Sequence, residues 1–178
     1  MVWARSRASG RGAKNVGHRK IERIEWANLL ASRPACIPQA KRLRGTKALG
    51  VSFEKHLARA LDRAMPNSFD HGRWFEFLAD GKRGFCQPDF VLVHPLTVTI
   101  IECKLTNIEE ATEQLDDLYF PVLAAAYRLP VRGIIAVKSL SRLSRLPREI
   151  VVCTSLREAL QTTLTRVPIL HWLGRGPI

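Results

Sequence analysis

The sequence stretch that decides the fold is residues 88–104, PDFVLVHPLTVTIIECK. Two runs rich in Val, Ile, Leu, Phe and Thr flank His94-Pro95, and this pattern predicts two adjacent strands joined by a tight turn. Strands of this composition normally belong to a protein core, yet three charged side chains lie at their outer ends. Asp89 precedes the first run, and Glu102 and Lys104 end the second. The charged residues therefore need a specific explanation.

The register of the hairpin brings these charged residues together. If the turn is centred between Pro95 and Leu96, Asp89 lies directly opposite Glu102, with Cβ atoms about 4.5–5.5 Å apart. Lys104 lies two residues beyond Glu102 and projects from the same face. Both faces are apolar, so both are expected to be covered. The register assigns Val91, Val93, Val98 and Ile100 to the carboxylate face and Phe90, Leu92, Ile101 and Leu105 to the other.

Two facing carboxylates in a partly dry environment repel each other. Either one takes up a proton, so that its pKa rises, or a cation lies between them. Lys104 neutralises only one of the two charges, whereas a hard divalent cation that prefers oxygen ligands would satisfy both. The alternative is that Asp89 and Glu102 lie at solvated strand ends, with Lys104 in a surface ion pair. The placement of all three on one face favours the cation site.

The elements around the hairpin predict the α/β fold class. An amphipathic helix is predicted over residues 51–65, with Ser52 as its cap and Pro66 as its end. A long helix is predicted over residues 107–128, which Pro121 should kink or split. The simplest arrangement is a mixed central sheet flanked by helices. The apolar stripe of the first helix is Phe53, Leu57, Leu61 and Met65. Two further helices are predicted, over residues 19–31 and over residues 155–164, the second capped by Ser155. Strands are predicted over residues 73–80, 84–93, 97–105, 131–140 and 148–155. A turn is predicted at residues 79–84, and residues 167–178 show no regular period.

The basic excess of the chain is concentrated near its N-terminus. Residues 1–53 hold twelve Lys or Arg residues and two Glu residues, which gives this segment +10 of the formal net charge of +12. Nucleic acid is the natural partner, because each neutralised phosphate releases a counterion; a solubilising tail and a targeting peptide are the alternatives. We divide the chain into a basic, partly flexible N-terminal arm, residues 1–49, and a folded domain, residues 50–178. The candidate nucleic-acid-binding residues are Arg5, Arg7, Arg11, Lys14, Arg19, Lys20, Lys41, Arg42, Arg44 and Lys47.

Composition excludes several classes of protein. At 178 residues and 46% hydrophobic, the chain is long enough for one domain with a substantial core. It has neither an apolar run of roughly 20 residues, as a bilayer-spanning helix needs, nor the apolar segment of a secretory signal. We therefore expect a cytoplasmic or nucleoid-associated protein without membrane contact. The four cysteines are scattered and show neither the spacing of a zinc site nor that of a disulfide framework. The five histidines show no ligand spacing, so the histidines are interpreted as surface or core residues.

Three motifs resemble those of a known superfamily. Pro88-Asp89, twelve intervening residues and Glu102-Cys103-Lys104 resemble the PD-(D/E)xK signature of restriction-endonuclease-like nucleases. Gly50-x-x-x-Glu54 is similar to the GxxxE element of archaeal-type Holliday junction resolvases. Gln114 is similar to the glutamine of the Gln-x-x-x-Tyr helix in the RecB-like and phage-exonuclease branch. Tyr119 departs from that pattern, because it lies one residue too far from Gln114.

The resemblance covers roughly residues 50–138 and implies an αβββαβ core that hydrolyses phosphodiester bonds with Mg²⁺, for which Mn²⁺ would substitute. Lys104 would orient or help deprotonate the attacking water and offset negative charge. Gln114 would contact the phosphate or the water, and Glu54 would reach the metal directly or through water. The implied catalytic residues are Glu54, Asp89, Glu102, Lys104 and Gln114, and the implied metal ligands are Asp89, Glu102, Glu54 and the backbone carbonyl of Cys103.

Three functions were weighed against these features. The first is a Mg²⁺-dependent DNA endonuclease of recombination, repair, phage DNA processing or restriction, which recognises DNA structure rather than base sequence. The second is a catalytically inactive DNA- or RNA-binding protein on a nuclease-like scaffold. The third, an RNA-binding or assembly protein of translation type, does not explain the facing acids. The intact acidic and lysine set favours the first, and cleavage of branched DNA would suggest a homodimer with two active sites.

Overall fold

Two sheets and four helices make up the part of the chain that the structure describes. The computed structural model describes residues 20–38, 44–139, 151–161 and 168–172. The α/β class with a mixed sheet flanked by helices is as predicted. In chain order the elements are strand β1 (Ile24–Leu30), helix α1 (Thr46–Ala64), strands β2 (Phe69–His71), β3 (Trp74–Ala79), β4 (Lys82–Cys86), β5 (Phe90–His94) and β6 (Thr97–Lys104), helix α2 (Ile108–Gln114), a π-helical turn (Leu115–Tyr119), helix α3 (Phe120–Tyr127), strands β7 (Val131–Val137) and β8 (Val152–Cys153), helix α4 (Leu156–Gln161) and strand β9 (Ile169–His171).

The predicted hairpin, β5–β6, lies inside the larger sheet. Its register pairs Phe90 with Ile101 and Val93 with Val98, which confirms the pairing expected from the turn position. The strand order of this sheet is β2-β5-β6-β7-β9-β8. Strands β2, β5 and β6 are antiparallel, whereas β7, β9 and β8 continue from β6 in parallel. Since β6 has a partner on each side, the acidic end of the hairpin does not lie at a free sheet edge.

Both faces of the hairpin are covered, as its two apolar faces predict. The carboxylate face packs against α2, the π turn, α3 and the smaller sheet, whose strand order is β1-β3-β4. The opposite face packs against α1 and α4. Val93, beside the turn, is an exception and is 45% exposed. The buried hairpin residues are Val91, Val98 and Ile100 on the first face and Phe90, Leu92 and Ile101 on the second.

Helix α1 has the predicted apolar stripe but begins earlier than predicted. It begins at Thr46, so Ser52 lies within the helix and is not its cap. The residue before the helix is Gly45, whose φ of 61° lies in the left-handed region that glycine adopts without steric cost. The predicted end is confirmed, because the helix stops just before Met65 and Pro66. The buried residues of the stripe are Phe53, Leu57 and Leu61.

The helix predicted over residues 19–31 is wrong, because residues 24–30 form strand β1. This strand is antiparallel to β3, with Ala27 paired to Phe77 and Leu30 to Trp74. The apolar residues of this segment have mixed spacing, so periodicity alone did not distinguish a helix from a strand. Pairing with β3 supplies the backbone hydrogen bonds that a helix would have made internally. Strand β1 lies within the first 49 residues and is tied to the rest of the fold by this pairing.

The single strand predicted over residues 84–93 is wrong, because it is two strands in different sheets. Strand β4 ends at Cys86 in the smaller sheet, and β5 begins at Phe90 in the larger one. Pro88 lies between them and has no amide hydrogen to donate to a strand ladder. The chain therefore crosses between the sheets here, and the crossing delivers Asp89 to the start of β5. The strand predicted over residues 73–80 is confirmed as β3.

The helical segment predicted over residues 107–128 is confirmed but is interrupted by the π turn. Helix α2 is capped by Asn107, whose side chain accepts a hydrogen bond from the Glu110 amide at 3.2 Å. The interruption precedes Pro121 rather than occurring at it. Pro121 lies in the first turn of α3, where a proline is tolerated because no intrahelical donor is required.

The C-terminal elements confirm one prediction and add one strand. Ser155 caps α4 as predicted, its hydroxyl accepting a hydrogen bond from the Glu158 amide at 3.2 Å. Strand β9 was not predicted; it pairs with β7 on one side and β8 on the other. The strand predicted over residues 148–155 is described only from residue 151, and β8 occupies Val152–Cys153.

Among the described residues, Cys36, Cys86 and Cys103 form no disulfide. Within the described ranges, no helix combines the length and the apolar character that crossing a bilayer requires.

Candidate active site

The hairpin end brings Asp89, Glu102 and Lys104 into one pocket. The backbone amide of Cys103 donates a hydrogen bond to Asp89 Oδ2 at 2.7 Å, which fixes Asp89 beside the end of β6. Lys104 Nζ lies 3.0 Å from Glu102 Oε1. The cavity above them has a volume of about 640 Å³ and is also lined by Glu54 and Gln114. The five predicted catalytic residues therefore line one cavity.

Burial and mutual repulsion disfavour the charged carboxylates. Burial raises the pKa of Asp89 well above its usual value, and repulsion by Glu102 and Glu54 raises it further. Burial likewise raises the pKa of Glu102, although the Lys104 ammonium offsets part of this effect. Burial lowers the pKa of Lys104, but attraction by Glu102, Glu110 and Asp89 outweighs it, so the net pKa is raised. Lys104 is therefore held as an ammonium among carboxylates that still repel one another.

One carboxylate oxygen of the site has no hydrogen-bond partner among the described residues. Glu102 is 3% exposed, and its Oε2 atom has no hydrogen-bond partner among the described residues. A buried carboxylate oxygen without a partner is costly, and a divalent cation would satisfy it. No three His, Cys, Asp or Glu side chains within the described ranges form a preassembled metal centre. An ion held by Asp89 and Glu102 would complete its shell with the Cys103 carbonyl and water, as Mg²⁺ commonly does.

Glu54 lies on the opposite wall of the cavity, on helix α1. Its Oε1 atom is 2.7 Å from His71 Nε2, and its side chain is 26% exposed. The helix face that carries Phe53 packs against the sheet, which places the adjacent Glu54 at the border between core and cavity. Cys103 also lines the cavity, while its side chain packs against the core on the α1 side of the sheet. Its backbone carbonyl, rather than its thiol, is thus the predicted ligand.

A chain of hydrogen bonds connects Lys104 to the helical segment over the site. Lys104 Nζ donates to Gln114 Oε1 at 3.0 Å, and Gln114 Nε2 donates to the Tyr119 hydroxyl oxygen at 2.5 Å. The Tyr119 hydroxyl in turn donates to the backbone carbonyl of Gln87 at 3.1 Å. These contacts fix the orientation of the Gln114 amide, because its oxygen faces a cation and its nitrogen faces a hydroxyl oxygen.

The π turn makes this chain of contacts possible. In an α-helix, residues five apart point about 140° away from each other around the axis. The π turn accommodates one additional residue per turn, so Gln114 and Tyr119 lie on the same side and bond to each other. The π turn therefore brings the two side chains together although they lie five positions apart in the sequence.

Three of the ten candidate nucleic-acid-binding residues are described. Lys20, Arg44 and Lys47 are exposed, and Lys47 lines the cavity from the first turn of α1. Lys20 lies near Asp116, where its charge lowers the pKa of a carboxyl whose net pKa is raised by burial and by Asp117. The remaining candidates lie outside the described residues: Arg5, Arg7, Arg11, Lys14, Arg19, Lys41 and Arg42.

Sequence reasoning did not identify four residues of this site. Tyr119 was set aside because of its spacing from Gln114, and the π turn that it ends could not be inferred from the sequence. Gln87 and Glu110 line the cavity but belong to no motif that we quoted. His71 was interpreted as a surface or core residue, because a single histidine 17 residues from Glu54 has no recognisable ligand spacing.

Comparison of the chain with models of protein families, with curated proteins and with solved structures finds no match.

Proposed function

We propose that this chain is a Mg²⁺-dependent nuclease that hydrolyses phosphodiester bonds in DNA. The observation that carries the proposal is the convergence of Asp89, Glu102 and Lys104, with an unpartnered Glu102 oxygen, in one cavity. Two buried carboxylates beside an ammonium suit a site for a divalent cation and an anionic substrate. The order of helix, strands, helix and strand around β5–β6 supports the PD-(D/E)xK resemblance and its αβββαβ core.

Asp89, Glu102 and the Cys103 carbonyl would hold Mg²⁺, and Glu54 would contribute from α1. When bound, Mg²⁺ supplies Lewis acidity, which lowers the pKa of water and draws charge from phosphate oxygens. Lys104 donates toward the attacking water and the phosphate, and stabilises the negative charge that develops there. As the new P–O bond forms and the bond to the leaving oxygen breaks, the attacking water gives up a proton to solvent and the leaving oxygen takes one up from solvent, so that one product strand ends in a phosphate and the other in a hydroxyl.

Gln114 determines where the Lys104 ammonium lies. Its Oε1 atom accepts from Lys104 Nζ, and Glu102 Oε1 lies at the same distance from that nitrogen, 3.0 Å. The ammonium is thus held by two oxygen partners and retains one N–H for the water or phosphate. Gln114 therefore acts by positioning Lys104, in addition to any contact with the substrate itself.

The proposed substrate is DNA recognised by its structure, with endonucleolytic rather than exonucleolytic cleavage. The chain carries a formal net charge of +12 and a basic N-terminal segment, which favours phosphate contacts that do not read bases. We place the activity in DNA recombination, repair or phage DNA processing, in the cytoplasm or on the nucleoid. Cleavage of both strands of a branched substrate would require a homodimer.

The proposal is tested by incubating supercoiled, linear, branched and flapped DNA with purified protein and Mg²⁺ or Mn²⁺. We expect Asp89→Ala to abolish cleavage and Lys104→Ala to reduce it by about 10²–10³-fold, the usual loss when a charge-stabilising donor is removed. Binding to the same DNA should remain within a few-fold of wild type. Matched controls are Asp62→Ala and Lys55→Ala, which remove the same residue types from exposed positions on α1.

Two results would contradict the proposal. Cleavage that survives in Asp89→Ala would show a contaminating nuclease or a different site. Wild-type protein that binds DNA but cleaves no substrate with either metal would instead favour the alternative, a basic nucleic-acid-binding protein on an inactive scaffold.

A further inference from the structure

His71 of strand β2 contacts Glu54 of helix α1. His71 Nε2 lies 2.7 Å from Glu54 Oε1, and Glu54 lines the cavity, whereas His71 does not. A carboxylate oxygen accepts hydrogen bonds, and in the tautomer that carries its proton on Nε2 the His71 ring is the donor of this contact. The contact joins strand β2 to helix α1, two elements separated by 17 residues at these positions. Glu54 is thus held between His71 and the space where a ligand would bind.

The His71 ring is itself held in place. It stacks on Phe90, with ring centroids 4.8 Å apart and an interplanar angle of 16°. Phe90 is fully buried and also makes an edge contact with Phe69, at 5.7 Å. His71 and Phe90 are backbone partners in the β2–β5 pairing. A ring fixed by stacking and by strand pairing loses little side-chain entropy when it forms the hydrogen bond.

The residue after His71 ties the same strand to Asp89. The Gly72 amide donates to the Asp89 carbonyl at 2.8 Å, and Gln87 Nε2 donates to the Gly72 carbonyl at 2.6 Å. Gly72 has a φ of +63°, and a Cβ atom there would lie 3.0 Å from Gln87 Nε2, so other residues are disfavoured on both counts. The His71-Gly72 pair therefore links the carboxylate on α1 with the carboxylate on the hairpin.

From these contacts we infer that His71 is a positioning residue, which fixes the Glu54 carboxylate relative to Asp89 and Glu102 for metal binding. The inference rests on the proposed metal-dependent function and deepens it. Without the His71 donor, the half-buried Glu54 side chain has several rotamers available, and only some direct it toward the other two carboxylates. Substitution of a residue that hydrogen-bonds to a metal ligand, without contacting the metal itself, typically lowers metal affinity or activity by about 10–100-fold.

Two substitutions separate the hydrogen bond from the ring. His71→Phe retains the stacking on Phe90 but loses the donor, whereas His71→Gln retains an N–H donor and loses the ring. We expect His71→Phe to weaken Mn²⁺ binding, measured by electron paramagnetic resonance or calorimetry, by about 10–100-fold, and to lower kcat while leaving KM for DNA unchanged. His71→Gln should recover most of both losses. His94→Phe, at an exposed position beside the hairpin turn, is the matched control.

A double-mutant cycle tests whether His71 acts through Glu54. In a Glu54→Gln background, His71→Phe should produce no further loss of Mn²⁺ affinity, because the carboxylate that it positions is absent. Equal losses in both backgrounds would overturn the inference, as would unchanged Mn²⁺ affinity in His71→Phe. Thermal unfolding of each variant identifies a loss that comes only from misfolding.

The Mn²⁺ readout also separates this inference from the proposed function. Wild-type protein that binds Mn²⁺ but cleaves no DNA, with binding weakened in His71→Phe, would refute the nuclease and support the positioning role. Cleavage by wild type, with His71→Phe equal to it in kcat and in Mn²⁺ affinity, would support the nuclease and refute the positioning role. Wild-type protein that binds no divalent metal would refute both.

Discussion

Gln114 and Tyr119 are hydrogen-bonded to each other although they lie five positions apart in the sequence, because the π turn Leu115–Tyr119 brings both side chains to one side of the helical segment. The Gln114 amide then presents its oxygen to Lys104. A π turn is usually less stable than the α-helix that could replace it, and such turns are frequent at functional sites. Its cost here is offset by a buried polar network that ends on the candidate active-site lysine.

The network predicts that the Tyr119 hydroxyl contributes to both activity and stability. Tyr119→Phe leaves Gln114 Nε2 and the Gln87 carbonyl without this partner, so the Gln114 amide is no longer held toward Lys104. We expect kcat to fall about tenfold and the free energy of unfolding to fall by about 1–3 kcal/mol, the usual cost of leaving buried polar groups unsatisfied. Kinetic assays and urea unfolding measure the two effects.

The matched control for Tyr119→Phe is Tyr127→Phe. The Tyr127 hydroxyl is buried without a hydrogen-bond partner among the described residues, so its removal should leave stability unchanged or slightly increased. Equal stability losses in the two variants would contradict a specific role for the Tyr119 hydroxyl.

The raised pKa of Asp89 predicts an unusual pH dependence for the metal-free protein. Burial, with repulsion by Glu102 and Glu54, raises the pKa of Asp89 in the folded state above its unfolded value. The folded state therefore binds more protons, and the stability that this carboxyl contributes is present below the unfolded pKa and lost as pH rises through the folded pKa. Asp89→Asn should remove this pH-dependent loss of stability, while it retains a side-chain oxygen that can accept the hydrogen bond from the Cys103 amide.

The comparison is made by thermal unfolding in EDTA between about pH 4 and pH 8. We expect Asp89→Asn to be the more stable protein at pH 8, by on the order of 1 kcal/mol, and the difference to shrink toward pH 4. A variant that is less stable than wild type at pH 8 would show that the Asp89 charge is well accommodated without metal.

Metal binding should stabilise the folded protein, whereas the charges of the same carboxylates destabilise it when no metal is bound. A ligand that binds only the folded state stabilises it, by about 2.7 kcal/mol at a concentration 100 times its Kd. We expect Mg²⁺ or Mn²⁺ to raise the unfolding temperature of wild type by several degrees, and Glu102→Gln to lose most of this increase. Na⁺ at matched ionic strength separates site binding from general screening. An equal rise in wild type and in Glu102→Gln would place the metal elsewhere.

The close packing of Gly133 predicts a sharp cost for adding one methyl group there. A Cβ atom at Gly133 would lie 2.8 Å from Phe120 Cζ and 2.9 Å from Leu115 Cδ1. Leu115 begins the π turn, and Phe120 directly follows it. Gly133→Ala should therefore destabilise the protein by about 1–3 kcal/mol and disturb the helical segment that carries Gln114. Gly50→Ala is the control: no atom lies within 4 Å of its Cβ position, and alanine within a helix should be neutral or stabilising by up to about 1 kcal/mol. Urea unfolding of both variants measures the difference.

The sequence predicted the hairpin and its charged end because both depend on local regularities. The turn at Pro95-Leu96 and the two-residue alternation of a strand determine which side chains face each other, and Asp89 therefore lies beside Glu102 without reference to any distant element. The stripe of α1 follows in the same way from the helical period. In contrast, the period of residues 19–31 was irregular, and only pairing with β3 made that segment a strand.

Neighbouring residues in the chain specify the local geometry: two strands, their register, and the proximity of Asp89 to Glu102. Packing between distant elements is needed to place His71 against Glu54 and Tyr119 against Gln114. The reason is physical. A register is set by interactions between near neighbours, whereas these contacts exist only after β2 has paired with β5 and the helical segment has packed over Gly133, and no periodicity in the chain encodes them.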